Sequence, residues 1–222
     1  MIENIVLLAV VLAINAFTLF LLMRDKELNE LTEEGTLLVS KRFRWVYGCI
    51  FVVLNLAIAC FFTYMYGENT LLFSLKRFAV LSVLWPVALI DLKTYRIPNV
   101  FVLTGLIYRA ALLVPELFLE QSSLLDYLLE EVVAAVAITL AAFLCSICFK
   151  GSIGYGDIKL FIVMGLLLGM RGIWSAMFLS LFAAFVIAVC LLISKKKGRK
   201  DAVPFAPAIL IGTYLSVILT GM

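Results

Sequence analysis

The chain has 222 residues, 64% of them hydrophobic and only 15% charged, with a formal net charge of +3. A mean hydropathy of +1.13 leaves too little polar surface to cover a water-soluble core, so a soluble globular domain is excluded. The absence of histidine removes Ser/His/Asp and Cys/His catalysis, HExxH zinc chemistry and imidazole proton relays together, and the small positive charge needs no nucleic-acid partner.

The apolar runs approach the roughly 20 residues that a helix needs to cross ~30 Å of hydrocarbon, and they lack the alternation of barrel strands. They predict an all-α, polytopic membrane helix bundle, one integral-membrane domain over 1–222. About eight transmembrane helices are expected, at 2–23, 45–66, 73–92, 98–116, 127–149, 157–170, 173–194 and 203–221. The first, with Glu3 before it and Arg24 and Lys26 after it, is expected to stay as an anchor. The connection 24–44 is too short for a domain, and its LVSKRFRW end is expected to flank span two at the anionic inner leaflet. Lys76 and Arg77 mark 70–77 as a candidate short interfacial helix. Arg109, inside span four, is expected to snorkel toward the acidic connection that holds Glu116, Glu120, Asp126, Glu130 and Glu131.

Cys145 and Cys148 form a CxxC inside apolar AAFLCSICF, with no second pair to complete a tetrahedral zinc site; all five cysteines are taken as small hydrophobes. Gly165 and Gly169 have the GxxxG spacing that permits close packing of span six on a neighbouring helix. The KKKGRK run at 195–200 resembles the first connection as a basic flank. Fourteen of the 18 Lys and Arg then fall in the connections after spans one, three, five and seven. By the positive-inside rule those connections are cytoplasmic, and both termini are expected to be extracytoplasmic.

Two aspartates stand where charge is costly: Asp91 in LWPVALIDLKTYRIPN and Asp157 in GSIGYGDIKLFIVMGLLLG. An even number of crossings separates them, so both are expected at cytoplasmic ends of their spans. Each has a plain structural alternative. Asp157 at the first position of a helix would be favoured by the helix dipole, worth about 0.3–1 kcal/mol, and Asp91 could partner Lys93 or Arg96. Gly151 and Gly156 have the GxxxxG spacing of a phosphate loop, but Asp157 follows where such a loop needs Lys. If the two carboxyl groups converge, they hold one proton between them and can activate a water against an amide carbonyl, with no metal or organic cofactor. An ion- or proton-coupled transporter is the rival class, but it predicts inverted repeats and carboxylates near the midplane, and neither is visible.

DLKTYRIPN from Asp91, GYGD with Lys159 two residues beyond Asp157, and PFAPAILIG from Pro204 together resemble the type IV prepilin peptidases, a branch of the intramembrane GxGD aspartyl proteases. The resemblance covers about 75–222, which it marks as a catalytic core. It implies Asp91 and Asp157 as the catalytic pair, Gly154 and Gly156 as shaping glycines, and Ile97, Pro98, Lys159 and Pro204 as supporting positions. The implied substrate is a prepilin-like protein with a basic leader and an apolar helix, cleaved at the cytoplasmic face of the cell or inner membrane. Presenilin-like relatives differ, with a YD signature where this chain has Ile90 before Asp91 and a PAL sequence where it has PFAPA. Many bifunctional members carry two zinc-binding CxxC pairs in a longer first connection and also N-methylate the pilin. Here that connection is short and has no cysteine, which implies a peptidase-only form.

Overall fold

In hydrocarbon every backbone N–H and C=O must be satisfied within its own segment, so apolar runs with few backbone breakers become helices. The computed structural model describes residues 2–25, 28, 39–119, 122–148, 154–194 and 203–221, and among them it has seven helices and no strand. In chain order these are α1 (Ile2–Arg24), α2 (Lys41–Met65), α3 (Leu71–Thr94), α4 (Asn99–Leu119), α5 (Leu124–Cys148), α6 (Tyr155–Ile193) and α7 (Ala206–Thr220). The first six are long and apolar enough to cross a membrane, and the chain is a polytopic membrane helix bundle. Most of the connection 24–44, residues 149–153 and the 195–200 run lie outside the described residues.

Caps decide where two helices begin. The Ser40 hydroxyl accepts from the Phe43 N–H and the Thr70 hydroxyl from the Phe73 N–H, both at 3.2 Å, so α2 and α3 start ahead of the predicted positions 45 and 73. The segment 70–77 is therefore the first turns of α3 and not a separate interfacial helix. Lys76 and Arg77 are buried in it. Arg44 is also buried, its guanidinium donating to the Leu22 carbonyl at 3.4 Å, so this part of the basic flank holds α2 against the end of α1.

A straight 39-residue helix would run for roughly 58 Å, about twice the hydrocarbon thickness. Gly169 breaks α6, with φ 68° and ψ −176°, a backbone region open to glycine and closed to other residues. Its two arms correspond to the separately predicted spans 157–170 and 173–194. The first packs along α5, where a side chain at Gly165 would collide with the Ala135 backbone. The second packs along α7, with Ser175 bonded to Ser216 at 2.9 Å and Ser180 to the Ile209 carbonyl at 3.4 Å. Gly165 thus acts in packing inside the bundle, as expected, whereas Gly169 acts as a turn.

α3 is the central helix: 94% of its apolar window is buried, against a third or less in each of the other five. A helix that is apolar all round belongs in the interior, and α3 has no polar stripe until its ends. Trp85 is fully buried, stacked on Phe51 at 5.4 Å, and its carbonyl accepts from the Tyr47 hydroxyl at 2.9 Å. Between helices surrounded by lipid there is no hydrophobic drive, so polar contacts and small residues set the packing. Asn55 donates to Asn15 at 2.7 Å and accepts from the Tyr214 hydroxyl, joining α2 to α1 and α7. Thr18 and Tyr108 join α1 to α4 at 2.8 Å.

Arg109 does not snorkel. It is buried in a cluster with Lys76, Glu116 and Glu131, whose four ion pairs span 2.5–3.0 Å. A buried cation has to be paired to offset the loss of water, and here Glu116 of α4 and Glu131 of α5 supply the carboxylates. The five cysteines lie on the outer surface of the bundle.

Candidate active site

Asp91 sits in the last turn of α3 and is buried. The helix stops just beyond it because Tyr95 takes a left-handed conformation, φ 54°, and donates its N–H to the Asp91 carbonyl at 3.0 Å. Pro98 then turns the chain into α4, whose first residue is Asn99. The Asp91 carboxylate accepts from the Ala206 N–H at 3.0 Å and is also met by the Phe205 N–H. These are unpaired donors at the start of α7, so the carboxylate of one helix end is held at the positive end of another. Pro204 and Pro207 flank this start, and the edge of the Phe205 ring packs on Phe161 at 6.2 Å. The PFAPA sequence therefore builds the seat for Asp91.

Asp157 is the third residue of α6, not the first, and is half-buried. Its carboxylate accepts from the Gly154 N–H at 3.3 Å, closing the helix start on itself. The capping role is therefore real, and it leaves the second carboxylate oxygen out of this bond. Asp157 lies within electrostatic reach of Asp91. The packing of α3 against α6 brings the two aspartates to one end of the bundle.

The supporting positions gather at the same end. A side chain on Gly156 would come within 3.1 Å of Ile97 Cβ, so glycine there lets the first turn of α6 close onto the Ile97-Pro98-Asn99 turn. Lys159 donates to the Asn99 side chain at 3.1 Å, a second tie between the two segments. Pro98 is buried, and Pro204 is half-buried beside the Asp91 seat. Gly154 leaves room for the Asp157 carboxylate, 3.3 Å from where a Cβ would stand.

Sequence reasoning missed three contributors: Asn99, which receives Lys159, and the N–H groups of Phe205 and Ala206. Asn99 was visible as the last residue of IPN. The backbone donors had no signal beyond a proline-flanked helix start.

A sequence profile of the type IV leader peptidase family matches residues 78–193, just over half of the chain. That stretch holds Asp91, Asp157, Ile97, Pro98, Gly154, Gly156 and Lys159, and it leaves out Pro204. A prepilin leader peptidase/N-methyltransferase from Bacillus subtilis (strain 168) is 34% identical over 68 residues, covering 31% of this chain and 27% of that relative. The match thus spans about a quarter of the relative's length. No solved structure matches the chain. With a match over more than half its length, on the part of the bundle that holds both aspartates, the chain belongs to the type IV leader peptidase family.

Proposed function

We propose that the protein is an aspartyl endopeptidase of the membrane that removes the basic leader of prepilin-like precursors, with Asp91 and Asp157 as its catalytic pair. One observation carries this reading: two carboxylates from different helices, one buried and one half-buried, lie within electrostatic reach at one end of the bundle. Family membership supports it.

In the proposed reaction the pair holds a single proton. The ionised carboxylate takes a proton from water as the water oxygen attacks the scissile carbonyl, and the protonated partner donates to the carbonyl oxygen. Collapse of the tetrahedral intermediate breaks the C–N bond, and a carboxyl proton leaves with the amine. The backbone donors at the start of α7 keep Asp91 oriented throughout. The charge distribution supports a cytoplasmic site, at the rim where water and a basic leader meet the membrane. The short first connection without cysteine supports a peptidase that does not methylate its product.

The test is to incubate purified protein in detergent with a prepilin-like substrate and compare it with Asp91→Asn and Asp157→Asn. Each substitution is expected to lower cleavage by about 10³-fold or more, in the range seen when one member of a catalytic unit is removed. Retention of processing by either variant would rule out the shared pair. Mass measurement of the cleaved product with a methyl donor present is expected to show no added methyl group.

A further inference from the structure

At the end of the bundle away from the aspartates, the start of α3, the start of α5, the Gly169 turn and the end of α7 surround a cavity of about 690 Å³. Two kinds of charge line it. Lys76 and Glu131 belong to the cluster with Arg109 and Glu116, two cations against two carboxylates, which balances its own charge. Arg77 makes no contact ion pair with that cluster, although the charges of Glu131 and Glu130 act on it. It is only 4% exposed, and among the described residues it makes no ion pair. Its guanidinium carbon lies 3.1 Å from the centre of the Phe73 ring, one nitrogen donates to the Phe73 carbonyl at 3.0 Å, and Nε is buried with no hydrogen-bond partner.

A cation taken out of water is held by a counter-ion or by a full set of acceptors. One carbonyl and one ring face do not meet the five donors of a guanidinium. Arg171, on the same cavity, likewise makes no ion pair among the described residues. Two arginines line one cavity, and the N–H fork of a guanidinium matches the oxygens of a phosphate.

We propose that this cavity binds a phosphate group, with Arg77 as the buried anchor and Arg171 as the outer clamp. The exposed carboxylates of Glu68 and Glu130 also line the cavity. They oppose a free phosphate dianion but suit a phosphodiester that carries its own ammonium. Phe73, Leu167 and Leu168 give the cavity apolar wall for the glycerol and upper acyl carbons. A zwitterionic phospholipid headgroup of the ethanolamine type therefore fits better than the free anion. The site is separate from Asp91 and Asp157, so it stands or falls independently of the peptidase assignment.

The experiment is native mass spectrometry and thermal unfolding of the full-length protein with four probes: phosphatidylethanolamine, phosphatidylglycerol, diacylglycerol and inorganic phosphate. Phosphatidylethanolamine is expected to be retained and to raise the melting temperature, while diacylglycerol of the same chains does neither. Arg77→Gln is expected to weaken phosphatidylethanolamine binding at least tenfold, with partial recovery in Arg77→Lys and no change in Arg24→Gln. Saturable stabilisation by inorganic phosphate alone, lost in Arg77→Gln, would support the phosphate site and assign it to the free anion. Equal binding of diacylglycerol and phosphatidylethanolamine, or equal binding by wild type and Arg77→Gln, would overturn the proposal. Should Arg77→Gln not fold, the exposed Arg171→Gln takes its place: weakened phosphatidylethanolamine binding supports the site, and unchanged binding overturns it.

Discussion

Asp91 is held by a main-chain donor 115 residues away, the Ala206 N–H. A hydrogen bond to a charged group contributes about 1.5–3 kcal/mol, and this one sets which way the carboxylate faces. Proline at a first helical position keeps the helix while removing the donor, and Ala206 is that position in α7. Ala206→Pro also disfavours the helical backbone of Phe205 before it, φ −93° and ψ −29°, so it is expected to lower the melting temperature as well as lower kcat for leader cleavage by about tenfold or more, measured with a prepilin-like substrate beside a circular dichroism melt. An unchanged kcat would mean that the α7 start does not orient Asp91. Asp157 presents a different case, since its bond to Gly154 lies within its own helix start and needs no distant element.

At the scale of elements, close approach at glycine sets the geometry of the candidate site. Gly156 admits Ile97, and a methyl group at 156 would stand 3.1 Å from Ile97 Cβ, too near unless one segment shifts by a few tenths of an ångström. Gly156→Ala is expected to lower kcat about tenfold, and adding Ile97→Gly, which removes the Cβ that is met, is expected to recover much of that loss. A double variant no better than Gly156→Ala would show that the contact is not what limits the rate. Gly169 answers a different need, because its backbone conformation is what folds α6 into two arms. Gly169→Ala is expected to cost on the order of 1–3 kcal/mol, read as a lowered melting temperature in detergent. A melting temperature equal to wild type would show that the turn tolerates a side chain.

Over the whole molecule, helices that meet lipid on one side are tied together by polar groups on the other. The Lys76, Arg109, Glu116 and Glu131 cluster joins α3, α4 and α5 far from the aspartates, and the Asn15, Asn55 and Tyr214 bonds join α1 and α2 to α7. Removing one charge from a buried cluster leaves the rest uncompensated, at a cost of about 3–5 kcal/mol. Glu131→Gln is expected to lower stability by that order in a detergent unfolding titration. Combining it with Arg109→Gln is expected to cost less than the two changes added, since charge balance returns. Strict additivity would show that the four charges do not act as one cluster.

By itself the sequence determined the fold class and the position of both aspartates along it. Hydropathy is a local property, and the lipid environment turns each long apolar run into a helix whatever its neighbours do. It also marked Gly156 and Gly154 near Asp157, because a helix start is built from adjacent residues. What surrounds each charge was decided only in three dimensions. Arg109 looked bound for water until α4 and α5 met, Lys76 and Arg77 looked interfacial until α3 took the centre, and the seat of Asp91 came from α7. Those outcomes depend on which helices touch, and at the helix contacts that matter here, Gly165 on Ala135 and Asn55 on Asn15, single small or polar residues settle the pairing.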